Sequence, residues 1–393
     1  MEIEKDINAN GKFKFGSVSG IAFVHFIHDI YTSLLAPVLP LIIQKLSLSM
    51  TLAGSLSIFM QLPSIFNPLL GSFADKRGWT RLLMVLSPGV TAILMCLIGL
   101  APSYAALVLI LFVAGISTAA LHISAPVMAA QLAGNRVGRG MGFFMLGGEL
   151  ARTAGPVVAV WAVSSFGLEG MWQLIPPGVL ASLLLWWRLK PEVDGQAKSG
   201  NGGDFRLMFK KMRRIIFGIF GILMARAFMA SAIATFLPTF LYGEGHSLWF
   251  AGISLSVYEF AGAFGVIASG SISDLVGRRR VLLGAMTISP VMMVLLLLCD
   301  NAFIIPILLG LGVTTLATGP VLMAVMMENA GEHKTTANGL YMAISFAMRS
   351  LILLLIGALA DTYGMRTAFS VCAGMALLGL PFLVFLPKSE KSR

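Results

Sequence analysis

Gly71-Ser-Phe-Ala-Asp75-Lys-Arg-Gly78-Trp-Thr-Arg81 returns later in the chain as Gly270-Ser-Ile-Ser-Asp274-Leu-Val-Gly277-Arg-Arg-Arg280. Gly, Asp, Gly and Arg recur at identical internal spacing, each 199 residues from its counterpart. A long apolar segment precedes each copy and another follows it, so each reads as a short basic turn between two membrane helices. A duplicated membrane unit with parallel halves accounts for the repeat. In such a turn the first glycine is expected to permit close helix approach. The aspartate ends a helix near the membrane surface, where it meets a helix N-terminus or an arginine. The last glycine lets the chain reverse.

The composition agrees with that reading. Of 393 residues 57% are hydrophobic and only 12% charged, and the mean hydropathy is +0.86. Soluble domains carry about twice that charge fraction, so a polytopic membrane protein is expected, with the lipid bilayer as its surroundings. A net charge of +10 would suit a nucleic-acid partner. The basic residues, however, sit in short connectors between apolar runs rather than on one face of a domain, and no nucleic acid is expected. Cys96, Cys299 and Cys372 are scattered through apolar segments with no CxxC or Cys/His cluster. That pattern points to packing, with no metal or cofactor. The first apolar run continues well past signal-peptide length, so no cleavage is expected.

A helix crossing the hydrocarbon core needs roughly 20 mostly apolar residues. On that measure twelve spans are predicted: 16–42, 49–71, 82–101, 104–132, 141–166, 169–189, 214–243, 247–272, 281–299, 302–327, 337–363 and 365–387. The one sizeable hydrophilic interruption, 190–213, has the make-up of a flexible tether followed by a basic lead-in. The expected fold is an all-α membrane protein of twelve transmembrane helices in two pseudo-symmetric six-helix bundles, 1–189 and 214–393. Nearly all basic residues outside the spans fall on one set of loops, and the opposite set holds only Lys45 and Arg366. By the positive-inside rule both termini are cytoplasmic. The expected location is the cytoplasmic (inner) membrane, with the chain acting as a monomer.

The repeated turn resembles the signature loop of the major facilitator superfamily, and the twelve-span plan extends that resemblance over nearly the whole chain. The resemblance implies that Gly71, Asp75, Gly78 and Arg81, with Gly270, Asp274, Gly277 and Arg280, form cytoplasmic gate contacts. In span five, Gly147-Gly148-Glu149-Leu-Ala-Arg152-Thr-Ala-Gly155-Pro156 resembles the glycine-proline motif of antiporters in this superfamily. Its glycines allow tight packing, and Gly155-Pro156 is expected to bend the helix. His25-Phe-Ile-His28-Asp29 in span one and Leu121-His122 in span four resemble the fosmidomycin-resistance type of efflux transporter.

Charge inside hydrocarbon costs from about 2.5 kcal/mol per residue, so such residues usually face a cavity and pair. Here they are His25, His28, Asp29, His122, Glu149, Arg152, Arg226, Glu259 and Arg349, in which three acids balance three arginines. That balance suggests one paired network lining an aqueous cavity. His25 and Asp29, four apart, share a helix face, and together they are candidates to carry a coupling proton, with Glu149 as a further proton site. The structural alternative is a hydrogen bond tying span one to a neighbour. His28 lies about 100° around the helix from Asp29, so only one of the two histidines needs to face the cavity. Glu149 and Arg152 are placed for an intrahelical ion pair; alternatively Arg152 is released to substrate. Arg226 and Arg349 have no acid on their own helix face, and Glu259 is one candidate partner. Guanidinium groups fork onto carboxylate or phosphonate oxygens, which makes Arg152, Arg226 and Arg349 candidate substrate contacts. His122, Glu259, Tyr31 and Tyr258 join them as candidates.

No phosphate-binding loop, nucleophile with base, or metal cluster is present, so an enzyme is not expected. Concentrative transport must then draw on an ion gradient. The leading expectation is proton-coupled antiport (efflux) of a small, anionic or amphiphilic organic compound by alternating access. The rival is proton-coupled uptake of an organic anion.

Overall fold

The computed structural model describes residues 14–67, 70, 71, 74, 77–188, 205–331 and 334–387. Among them there are helices and turns and no strand. The α-helices are α1 Phe15–Thr32, α2 Leu35–Leu46, α3 Met50–Gln61, α4 Thr80–Cys96, α5 Tyr104–Leu132, α6 Val137–Phe166 and α7 Ile175–Arg188. They continue with α8 Phe205–Gly243, α9 Leu248–Val276, α10 Arg278–Leu298, α11 Ile304–Asn329, α12 Lys334–Tyr363 and α13 Met365–Leu377. Ten stretches among the described residues are long and apolar enough to cross a membrane. The shorter Met50–Phe66 and the 14-residue α7 stand where spans two and six are predicted. The molecule is an all-helical, multi-pass membrane protein.

Proline and hydroxyl chemistry explain where the helices depart from the predicted spans. Span one is two helices, because Thr32 and Ser33 turn their hydroxyls back onto the Asp29 carbonyl at 3.0 and 2.8 Å. Span two tightens into a 3-10 turn at Leu62–Phe66 with Pro63 in its first positions, where an α-helical donor is missing. Span six begins as a 3-10 turn, Glu169–Leu174, and becomes α-helical at Ile175, with Pro176 and Pro177 in the first turn that tolerates them. The basic residues Lys210, Lys211, Arg213 and Arg214, expected as a lead-in, lie in the first turns of α8. Residues 189–204 lie outside the described residues.

The chain divides into two compact units, one of Met1–Leu46 and Leu56–Lys198, the other of Ser47–Ser55 and Ser199–Arg393. In the first, Val18, Ile21 and Val24 of α1 pack with Met84, Leu121, Met128 and Phe144. In the second, Ile219, Ile222 and Leu223 of α8 pack with Leu282, Met286, Val321, Leu322 and Val325. Large apolar side chains elsewhere are left bare, Leu275 87% exposed and Trp187 81%. In water this would be a liability; against lipid tails it is neutral. Cys96 and Cys372 are buried, Cys299 is exposed, and all three are free.

The two basic residues set apart by sequence, Lys45 and Arg366, turn out to hold helix ends together within their own units. Lys45 Nζ donates to Glu169 Oε1 at 2.6 Å and to the Gly99 carbonyl at 2.7 Å. Arg366 donates to Glu244 Oε2 at 2.5 Å and to the Leu297 carbonyl. Lys45 and Glu244 are 199 residues apart, the offset of the repeated turn. Glu169 and Arg366 are 197 apart, so each unit carries a strut at a nearly matching place, with the charges exchanged. Lys45 beside it lowers the pKa of Glu169, so the strut contributes above the ordinary Glu range and is lost as the pH falls through the lowered value. Glu169→Gln is expected to reduce thermal stability at neutral pH and to match the wild type in acid. Melting curves of both proteins at the two pH values check this.

In the second unit Asp361, at the end of α12, caps the start of α3. Its carboxylate accepts from the Met50 and Thr51 amides at 2.6 and 3.0 Å and from the Thr51 hydroxyl at 2.6 Å. Helix N-termini favour such an acceptor, and here it comes from 311 residues away in sequence.

Candidate functional site

The first unit gathers one titratable cluster around Asp29. On α1, His25 and Asp29 sit one turn apart with His25 Nε2 3.0 Å from Asp29 Oδ2. His28 Nδ1 reaches the other oxygen, Oδ1, at 2.8 Å. His122 of α5 brings its Nε2 to 3.5 Å from Oδ1. His25 and His28 are buried, the Asp29 side chain is 13% exposed and that of His122 38%. The carboxylate thus has an imidazole on each oxygen and a third, wetter one alongside. Sequence spacing paired Asp29 with His25 alone; the structure adds His28 and His122.

Each imidazole is held from behind. His25 Nδ1 donates to the Phe144 carbonyl at 2.8 Å, and its ring stacks on the Phe144 ring at 4.0 Å. His28 Nε2 lies 3.1 Å from the Thr91 hydroxyl. Thr91 donates to Ser117 at 2.8 Å, and Ser117 donates to the Ser87 carbonyl at 3.1 Å. These hydroxyls were not singled out from the sequence, where serine and threonine in apolar spans look like packing. Their one signal is that Thr91 stands in span three and Ser117 in span four, against the span bearing Asp29.

The glycines of span five make this geometry possible. A Cβ on Gly147 would sit 2.3 Å from the Ala22 carbonyl oxygen of α1. One on Gly148 would sit 2.7 Å from His25 Cε1 and 3.4 Å from Asp29 Oδ2. The expected tight packing is present, and it is packing onto the cluster. Gly155 and Pro156 lie inside the continuous helix α6, with Gly155 against Ser33 and the Ile30 carbonyl. Glu149 and Arg152 form the intrahelical ion pair. Arg152 also interacts electrostatically with His122.

The donor atoms of His25, Asp29 and His122 lie within 4.8 Å of one another. Their contacts of 3.0 and 3.5 Å run between imidazole and carboxylate, which is the arrangement of an acid–base network. Tyr31 is buried, and its hydroxyl donates to the Leu174 carbonyl at 2.7 Å, so it braces α1 against the start of span six.

A second constellation lies in the second unit. Arg226 of α8 donates from Nε to the Thr318 hydroxyl of α11 at 2.5 Å. It borders a cavity of about 10 Å³, water-sized, that Ser289, Thr315 and Thr318 also line. Among the described residues no carboxylate lies within 4.0 Å of its guanidinium. Tyr258 is fully enclosed on α9, with the charges of Glu259, Arg226 and Arg349 all within electrostatic reach of it. Tyr341 donates to the Gly319 carbonyl beside Arg226 at 3.1 Å.

At the repeated turn the reversal is as expected, with Gly78 at φ +66° and Gly277 at φ +98°, a region that favours glycine. Close helix approach at the first glycine is not seen. Among the described residues nothing lies within 4 Å of a Cβ placed on Gly71 or Gly270. Asp274 pairs with Arg278 one turn on, at 2.5 Å, and Arg278 also holds Glu328 at 2.6 Å. Arg280 donates instead to the Val276 carbonyl at 3.3 Å. Arg81 lies over the Trp186 ring and donates to the Trp186 carbonyl at 3.1 Å. Asp75 lies outside the described residues.

The family profile described as Major Facilitator Superfamily matches residues 21–353 and 251–393. The chain is 23% identical to the fosmidomycin resistance protein of Escherichia coli (strain K12), covering 96% of this chain and 94% of that protein. It is 24% identical to the multidrug resistance protein MdtG of Yersinia enterocolitica, covering 88% and 86%. Among solved structures, a bacterial homolog of the human lysosomal transporter Spinster, inward-facing and occupied, superposes with TM-score 0.78 at 15% identity over 95% of this chain and 96% of that one. A D-xylose-proton symporter superposes with TM-score 0.76 at 14% identity over 96% and 99%.

Proposed function

Because the chain belongs to the major facilitator superfamily, it is a membrane transporter and not an enzyme, and we propose that it is a proton-coupled antiporter exporting a small, anionic or amphiphilic organic compound. The observation that carries the proposal is Asp29 with an imidazole on each carboxylate oxygen and a third, partly exposed, beside it. A carboxylate so placed exchanges protons with groups that titrate near neutrality, and an acid inside the hydrocarbon depth is retained for such work. Relatives named for fosmidomycin and multidrug resistance support export as the direction.

In this reading Asp29 and His25 carry the coupling proton, and His122 connects them to Arg152. Glu149, when protonated, releases Arg152 toward substrate. Arg226, whose guanidinium no carboxylate reaches among the described residues, holds the anionic part of the cargo, and Arg349 and Glu259 complete that polar patch. The residues around Asp75, Arg81, Asp274 and Arg280 act as the cytoplasmic gate, with 1–189 and 214–393 as the two moving halves and both termini cytoplasmic. The location proposed is the inner membrane, and the working unit a monomer.

Uptake by symport is the competing direction, since Arg226 serves an anion moving either way. Purified protein in liposomes with an imposed pH gradient separates the two, with fosmidomycin and other anionic compounds as cargo. Proton flow opposite to cargo is the expected result. Flow in the same direction overturns export.

A further inference from the structure

The hydrogen-bond directions around Asp29 can be followed one at a time, starting from an atom that has no choice. The Ser87 carbonyl only accepts, so the Ser117 hydroxyl 3.1 Å away spends its one hydrogen there. Thr91, 2.8 Å from Ser117, must then donate to Ser117. With its hydrogen spent, Thr91 only accepts from His28, so His28 Nε2 carries a hydrogen. A neutral imidazole has one N–H. His28 Nδ1 would therefore be bare, its lone pair aimed at Asp29 Oδ1 only 2.8 Å away. Two lone pairs at that distance repel, and the contact requires a proton between them.

His25 repeats the argument from the other side. Its Nδ1 donates to the Phe144 carbonyl, so Nδ1 is the N–H nitrogen. Its Nε2 is 3.0 Å from Asp29 Oδ2, buried, and without a hydrogen bond of good angle to any partner. A bare nitrogen there would again face a carboxylate oxygen. A protonated one makes a bent ion contact.

We infer that the Asp29 site stores two exchangeable protons, one shared with His28 and one with His25, and that the hydroxyl chain from Thr91 through Ser117 to the Ser87 carbonyl locks His28 in the tautomer that makes this obligatory. The inference rests on the reading of Asp29 as the coupling acid and extends it to a count. Fully loaded, the cluster is one carboxylate and two imidazoliums, net +1; emptied, it is net −1. The two protons are unequal. The one at His28 sits in a 2.8 Å hydrogen bond with no solvent exposure. The one at His25 is in a bent contact, with the His122 ring edge-on at 5.2 Å and 38% exposed beyond it. The outer proton therefore leaves first, by way of His122.

The groups facing this cluster are few. From α5 comes His122, and from α6 Arg152 already bound to Glu149. From α4 come only hydroxyls, and α7 has no titratable residue before Arg188 at its end.

The test is nitrogen NMR of the full-length chain, labelled with ¹⁵N-histidine, in lipid nanodiscs from about pH 5 to about pH 8. His25→Gln and His28→Gln supply the assignments. The expected result is that His25 and His28 are both doubly protonated at the acid end. As the pH rises each loses one proton, His25 first, leaving His25 as the Nδ1–H tautomer and His28 as Nε2–H. Thr91→Val frees the lock, and His28 then shows both neutral tautomers. Should a variant fail to fold, His122→Gln, His246→Gln and His333→Gln remove the other three of the five histidines, and the two signals that remain decide the count. A His28 that stays neutral throughout, or appears as Nδ1–H, overturns the second proton. That failure is distinct from failure of the coupling reading, in which Asp29→Asn retains gradient-driven transport whatever the histidines do.

Discussion

Asp29→Asn is expected to abolish proton-driven transport, by tenfold or more in initial rate, while the protein still folds and inserts. Asn has nearly the shape of Asp and offers hydrogen-bonding groups on both branches, so the contacts to His25 and His28 keep partners. What it cannot do is supply negative charge. A carrier driven by protons needs the carboxylate to hold protons on the imidazoles beside it, and a neutral amide cannot hold them there. Downhill exchange of cargo, which needs no proton, is expected to survive. The measurement is a pair of liposome assays on one preparation, driven uptake with a pH gradient and counterflow without one. Full driven activity in the variant would refute Asp29 as the coupling acid, and loss of both assays would make its role structural.

The second large effect is expected at the span-five glycines, from packing rather than charge. Gly147→Ala adds a methyl whose carbon would lie 2.3 Å from the Ala22 carbonyl oxygen. The obstacle is helix backbone and cannot swing aside, so α6 and α1 must separate. Overpacking of this kind costs about 1–3 kcal/mol, visible as a lower melting temperature in detergent. Gly148→Ala meets a side chain instead, His25 Cε1 at 2.7 Å. That ring is pinned by its bond to Phe144 and its stack on the Phe144 ring, so the substitution displaces the proton site more than the fold. It is expected to keep most of the thermal stability and lose driven transport. Equal melting of Gly147→Ala and wild type would show that the helices are not in backbone contact there.

These two predictions differ in how much of their basis was legible in the chain. Asp29 and His25 stand out because a charge amid apolar residues at i,i+4 spacing has few uses. The glycines stand out as a cluster, but nothing local says that they face α1 rather than another neighbour. His28 was set aside by helical geometry, since it points about 100° away from Asp29. A carboxylate has two oxygens, however, and the side chain of an adjacent residue reaches the second. Tyr31 and Tyr258 were counted among the candidate cargo contacts; both are enclosed, Tyr31 with its hydroxyl spent on backbone.

By itself the sequence determined that the chain is a multi-pass helical membrane protein, with a duplicated turn and ionisable residues within its spans. Those features follow from local quantities: the apolar length needed to cross hydrocarbon, the cost of a charge inside it, and residue spacing along one helix. The tertiary structure decided which groups meet. His122 comes to Asp29 from a helix more than 70 residues away, Asp361 caps a helix from 311 residues away, and Asp274 selects Arg278 over Arg280. Such pairings depend on how helices rotate and pack against each other, and that rotation is set by the summed fit of many side chains that no single stretch of sequence contains.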